Sequence, residues 1–209
     1  MNSRDFLSRL PQCMLGLVGV GLGASLMIDA HVGLAPWDVL HQGLHKHTGI
    51  PIGTISILVG LALFVVWIPL KQRIGAGTVL NVFTIGLAID AFLAIDFEPH
   101  GLPLRVACCV IGDVIIAASG GIYIGAGLGT GPRDGIMTGM VARGYPLRTV
   151  RTVLELTVLA AGWMLGGNIG FGTVLFALSV GPILHFVLHR VDRGVLAPQP
   201  KDVEPTFPN

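Results

Sequence analysis

Two tripeptides hold the side chains best placed for chemistry. Pro36-Trp37-Asp38 and Pro132-Arg133-Asp134 each put a carboxylate two residues after a proline, with glycine-bearing chain just before it. Proline suits the first turn of a helix, where its missing N–H costs nothing. Each stretch therefore reads as the start of a short helix, over residues 36–47 and 132–143. An acid in that first turn complements the helix dipole and its spare N–H groups. If the helix end faces a pathway, the same acid offsets the pull of the dipole on anions and favours a cation or a protonatable substrate. Both roles are open for Asp38 and Asp134, and one residue can fill both. Arg133 stands where Trp37 stands in the other stretch, which breaks the match chemically. A guanidinium there either adds to the positive charge of a cytoplasmic face or acts as a gate or anion contact.

Two further acids lie inside apolar segments, where a charge is costly and turns toward protein, a cavity or water. Glu155 has Arg151 one turn earlier, a spacing that lets them pair. Asp113 has no partner nearby in sequence, which makes it the better residue for proton coupling. Asp38, His41 and His45 share one helix face at a spacing that metal ligands use. The second stretch has Asp134, Met137 and Val141 there instead. With His31, His47 and His100 assigned to the same outer side, these histidines read as a solvated surface and no metal site is expected. Cys13, Cys108 and Cys109 lie in apolar runs without CxxC spacing and read as free thiols in packed helices. No Walker loop, nucleophile elbow or hydrolase-type carboxylate pair is present in the sequence. Neither a catalytic residue nor a cofactor is expected, and the chain does not read as an enzyme.

The elements that must carry these residues are membrane helices. Of 209 residues, 52% are hydrophobic and 12% charged, and the mean hydropathy is +0.76. A soluble domain carries roughly a quarter charged residues, so too little polar surface remains to clothe this one in water. The net charge of +1 gives no field for a nucleic acid. A bilayer core needs about 20 apolar residues per helix. Six segments approach that: Pro11–Ala30, Ile50–Leu70, Gly75–Ile95, Leu104–Gly127, Leu147–Leu165 and Phe171–Leu188, the last two divided at Gly166–Gly170. Arg4 and Arg9 before the first run resemble a signal peptide, but that run belongs to a repeat and reads as a retained span. Twelve-residue helices rise only ~18 Å, so the two short ones are re-entrant or interfacial.

The motifs recur in one order. GLAPWD (33–38) matches GTGPRD (129–134), Gly43 falls on Gly139, and Gly49-Ile50-Pro51 meets Gly144-Tyr145-Pro146 after one residue is lost. GAGTVL (75–80) then matches GFGTVL (170–175). This is a duplication, with a first repeat over 1–99, a second over 100–195, and a Pro-rich tail, 196–209, expected to be disordered in the cytoplasm. Three spans per repeat make the halves run oppositely. With the N-terminus inside, all of the 13 basic residues except Lys46 and Arg105 fall on the cytoplasmic side, as the positive-inside rule asks. Trp67, just before Lys71, fits an aromatic anchor at the interface. Both termini are cytoplasmic in this arrangement. Glycine pairs such as Gly19/Gly23, Gly121/Gly125 and Gly162/Gly166 allow close helix packing in lipid.

The segments GLGASLMIDAHVGLAPWDVLHQGL and GTISILVGLALFVVWIPLKQRIGAGTVLNVFTIGLAID, with IYIGAGLGTGPRDGIMTGM in the second half, resemble the YczE/YitT group of bacterial membrane proteins. The resemblance covers about residues 15–188. It implies a multi-pass protein of the bacterial cytoplasmic (inner) membrane and supplies no activity and no catalytic residue.

The expected fold is thus all-α and polytopic, six spans in a 3+3 inverted repeat with one short helix per half. Inverted repeats with short or broken helices recur in transporters, with sites where the halves meet. The leading expectation is a small transporter for an unknown small molecule or ion, its pathway lined near Asp38, Asp134 and Asp113. The other is an accessory factor that binds a membrane-protein partner and moves nothing. Six spans leave little room for a large cavity in a monomer, which a homodimer would relieve.

Overall fold

The computed structural model describes residues 3–72, 74–193 and 195. Every regular element among them is helical: α1 (Ser3–Ala30), α2 (Pro36–Thr48), α3 (Ile52–Leu70), α4 (Ala76–Leu93), α5 (Leu102–Gly125), α6 (Pro132–Val141), α7 (Leu147–Met164) and α8 (Phe171–Val191). Arg73, Lys201 and the tail expected to be disordered lie outside the described residues.

Five helices, α1, α3, α4, α5 and α8, are long and apolar enough to cross a membrane. Val65, Leu87, Leu178 and Phe186 are each at least 60% exposed on them. Side chains of that kind are at home against hydrocarbon, and the chain is a multi-pass membrane protein. The sixth expected span, α7, forms as an 18-residue helix. Its Arg148, Arg151 and Glu155 confine the apolar run to its later turns, so composition does not mark it as a span as it does the others.

Helix α1 begins at residue 3, two turns before the expected start at Pro11. Its polar first turns are fastened to the protein. Arg9 pairs with Asp5 at 3.1 Å and donates to the Ala126 carbonyl at 3.3 Å, and the Gln12 amide donates to the carbonyls of Ile122 and Val191, each at 3.0 Å. The two short helices start at Pro36 and Pro132 as expected, and at 13 and 10 residues they reach only ~20 and ~15 Å.

Helices α1 and α5 form the central pair. They approach closely: a Cβ on Gly23 would lie 2.5 Å from the Gly112 carbonyl oxygen, and one on Gly112 would lie 2.6 Å from that of Gly23. Packing of that kind holds helices together in lipid, where no hydrophobic drive separates protein from solvent. Helix α4 packs on α1 as α8 packs on α5. Short helix α2 lies on α7 and α3, and short helix α6 lies on α3 and α7. Each short helix is thus held between the same two long helices.

The backbone repeats as well. Among the described residues, eight of the ten in the left-handed region occur as matched pairs, His31 and Gly127 (φ 54 and 67), Gly33 and Gly129 (120 and 136), Gly49 and Gly144 (72 and 93), Lys71 and Gly166 (52 and 82), while Asp96 and Gly101, at the join of the two halves, have no counterpart. Each pair occupies equivalent positions of the two sequence copies. Gly166 therefore ends a helix and takes no part in the close packing expected of it.

Trp67 corrects another expectation. Its indole is turned into the protein and not toward headgroups: it is 2% exposed, and its N–H donates to the Pro132 carbonyl at 2.9 Å. A Cβ on Gly135 would fall 1.9 Å from the Trp67 ring, so glycine there is what lets the indole reach the start of α6.

Candidate functional site

The loops before the short helices are bound crosswise. Gly77 N–H at the head of α4 donates to the Leu128 carbonyl before α6, and Gly172 N–H at the head of α8 donates to the Val32 carbonyl before α2, both at 3.0 Å. This explains the repeated GxGTVL run. Its first glycine, Gly75 or Gly170, is the extended residue before the helix. Its second leaves no Cβ between the helix and the loop it binds. The two clasps aim the N-terminal ends of α2 and α6 at each other.

Between those ends lies a cavity of 280 Å³, walled by α1, α3, α4, α5, α7 and α8. It is at the small end of the range of ~300–1,000 Å³ for ligand pockets. Both tripeptides and Glu155 line it, whereas Asp113 does not. Its other walls are mainly aliphatic, with Val59, Leu63, Val82, Ile85 and Leu184 among them.

The equivalent residues Trp37 and Arg133 meet each other. The Arg133 guanidinium carbon lies 4.7 Å from the centre of the Trp37 ring, within cation–π range. Among the described residues Arg133 makes no ion pair within 4.0 Å. Asp134 accepts from the Tyr123 hydroxyl at 3.3 Å and also interacts with the Gly131 backbone, so it serves both its own helix start and the cavity. Asp38 is 6% exposed and faces His41 Nδ1 at 3.4 Å. Arg151 and Glu155 pair at 3.0 Å, as their spacing allows.

His41 overturns the solvated-surface reading of the histidines. It is 0% exposed, lines the cavity, and apart from the 3.4 Å approach of Asp38 to Nδ1 neither ring nitrogen has a partner among the described residues. His45 does not join it, because its Nδ1 is taken up by the Ile50 carbonyl at 2.7 Å. His31, His47 and His100 are exposed.

Asp113 is separate from all of this. It is 1% exposed, in the α5–α8 seam, where Oδ2 accepts from the Ser179 hydroxyl at 2.5 Å and Oδ1 has no partner. The expectation that it shares a pathway with Asp38 and Asp134 is not met by its position. The three cysteines are free and buried.

Residues 7–189 match the model of a protein family described as "Family of unknown function (DUF6198)". The chain belongs to this family. It is similar to an uncharacterized protein of Haemophilus influenzae, 39% identical over 83% of this chain and 80% of that one. It is equally similar to the uncharacterized membrane protein YczE of Bacillus subtilis, 39% identical over 83% and 82%. A third relative, the uncharacterized protein YyaS of Bacillus subtilis, is 28% identical over 88% and 94%. No solved structure matches the chain at a significant level. The DUF6198 match includes both short helices and every residue named above as lining the cavity.

Sequence reasoning missed Tyr123 and dismissed His41. For Tyr123 a weak signal existed, since it is one of only two tyrosines and lies in an apolar helix. For His41 the signal was its place one turn after Asp38 on the cavity-facing side of α2.

Proposed function

We propose that this protein is a small transporter of the bacterial cytoplasmic membrane and not an enzyme. It is built as a 3+3 inverted repeat, with α7 as the sixth span and both termini inside. The single observation that carries the reading is the inequality of two otherwise matching halves around the cavity. Helix α3 packs on α4, with Gly53 against Gly86, and Asp90 fastens the pair by accepting from Gly53 N–H at 2.6 Å and the Thr54 hydroxyl at 2.8 Å. Helices α7 and α8 make almost no contact with each other, and nothing lies within 4 Å of a Cβ placed on Gly181, the counterpart of Gly86. The counterparts of Gly53 and Asp90 are Arg148 and His185, which cannot make that latch. One flank of the cavity is shut and the other parted, as expected of one state of a protein that opens alternately to two sides.

Purified protein in liposomes should move a solute from a panel of ions, amines and amphiphilic metabolites. Asp38→Asn/Asp134→Asn should lower that flux at least tenfold. Equal flux from the double variant would remove the site assignment. The small cavity favours a second reading, an accessory factor, and absence of all flux with a co-purifying membrane protein would establish it instead.

The orientation has its own check. In whole cells, a membrane-impermeant thiol reagent should label His47→Cys and His100→Cys and leave Lys71→Cys untouched. Labelling of Lys71→Cys alone would overturn this arrangement, and His31→Cys would then separate the two alternatives, being labelled if α2 crosses the membrane and protected if the whole protein is inverted.

A further inference from the structure

The cavity is lined by three carboxyl side chains, Asp38, Asp134 and Glu155, and by two guanidiniums, Arg133 and Arg151, so that acids outnumber bases by one in the formal count, with the His41 imidazole beside them. Arg151 and Glu155 neutralise each other. The remaining three form no ion pair within 4.0 Å among the described residues, although Arg133 lies within electrostatic reach of both acids: its guanidinium rests on an aromatic face, Asp134 accepts from a hydroxyl, and Asp38 faces a histidine. A single uncompensated charge surrounded by aliphatic wall is costly, and a monovalent cation or a proton would cancel it. The structure offers a place for the proton. His41 Nδ1 stands 3.4 Å from Asp38 Oδ1, the ring is fully buried, and neither nitrogen has another partner. Of the helices packed on α2, α3 brings no titratable group into the cavity and α7 brings only the Arg151–Glu155 pair. Across the cavity stand Arg133 and Asp134 of α6 and Tyr123 of α5.

We infer that the cavity binds a monovalent organic cation with a small apolar body, in exchange for one proton held by the Asp38–His41 pair. The inference rests on the cavity being the site of the reading above and names its substrate class. The aliphatic walls take the body, Asp38 and Asp134 take the charge, and the parted α7–α8 flank opens toward lipid, from which an amphiphilic cation can arrive. When the cation binds, the proton leaves the pair for bulk water, and the cavity is neutral in both states. Arg133, held over Trp37, excludes a second cation.

The test is calorimetric titration of the purified protein in detergent with benzyltrimethylammonium, in two buffers of different ionisation enthalpy. Affinity should rise up to tenfold per pH unit until the pair is deprotonated and then level off. Proton release should approach one per cation at the acid end. The neutral isostere neopentylbenzene should bind at least tenfold more weakly, with no proton release, and benzenesulfonate should not compete. Asp38→Asn should weaken the cation at least tenfold at high pH and abolish release. His41→Gln should keep cation binding and move its pH dependence to lower pH. Asp113→Asn, outside the cavity, should change neither. Equal binding of the cation and its neutral isostere, preference for the sulfonate, or loss of proton release with Asp113→Asn would each overturn the inference. The wild-type probe series stands even if a variant does not fold. Binding does not depend on transport: cation binding without flux would sink the transporter reading alone, and anion flux without cation binding would sink this one alone.

Discussion

Gly162→Val should destabilise the protein by more than ~3 kcal/mol, or prevent its recovery in folded form, because the space a side chain needs there is filled by backbone. A Cβ on Gly162 would lie 2.4 Å from the Leu40 nitrogen and 2.6 Å from the Val39 carbonyl carbon. Overfilled sites usually cost about 1–3 kcal/mol when side chains can shift. Here the obstacle is the main chain of α2, so α2 and α7 must part along their seam. The matching change Gly181→Ala, where nothing lies within 4 Å, should be neutral or should stabilise α8 by up to ~1 kcal/mol from helix propensity. Thermal unfolding in detergent distinguishes them, and a Gly162→Val protein that melts with Gly181→Ala would show that the α2–α7 contact does not hold the fold.

Trp67→Ala should cost about 3–5 kcal/mol, the range for deleting a buried aromatic side chain. In the protein interior this loss is mostly packing, since the ring fills the space that Gly135 leaves free. Trp67→Phe separates the hydrogen bond from the ring. It should cost about 1–3 kcal/mol, because the Pro132 carbonyl at the first turn of α6 loses its indole donor. Both variants loosen the helix that carries Arg133, so the melting temperature should fall, and further for Trp67→Ala than for Trp67→Phe. A Trp67→Ala protein with the wild-type melting temperature would show that α6 is held by other contacts.

The Gly162 and Trp67 results bear on how much of the molecule its sequence displays. Pro36 and Pro132 marked two helix starts correctly because proline's fixed φ and missing N–H act locally. The lipid-facing helices were equally legible, since their apolar length answers to the thickness of a bilayer. The repeated GxGTVL run marked a correspondence but not its cause, which is a hydrogen bond from each half to the loop of the other. Trp67 was misplaced because a tryptophan near a basic turn looks the same whether its indole meets headgroups or the carbonyl of a distant proline. His41 was misplaced for a related reason: its neighbours in sequence, His45, Lys46 and His47, are polar, while its neighbours in space are the cavity walls. Asp113 and Asp38 both read as intramembrane acids, and only the three-dimensional path of α5 separates them. Composition and local stereochemistry are written residue by residue. Which face of a helix meets a cavity is decided by helices far away in the chain.

The contact of Arg133 with Trp37 bears on ancestry. The two side chains occupy the same position in the two copies, and they touch. In a protein assembled from two identical, separately made halves, a self-facing position must hold the same residue twice. It would oppose two guanidiniums, which repel in a low-dielectric interior, or two indoles, which carry no charge. Joining the halves in one gene product releases that position from symmetry and lets each copy change alone. A cation laid on an aromatic ring at this point is a pairing that two identical halves cannot make.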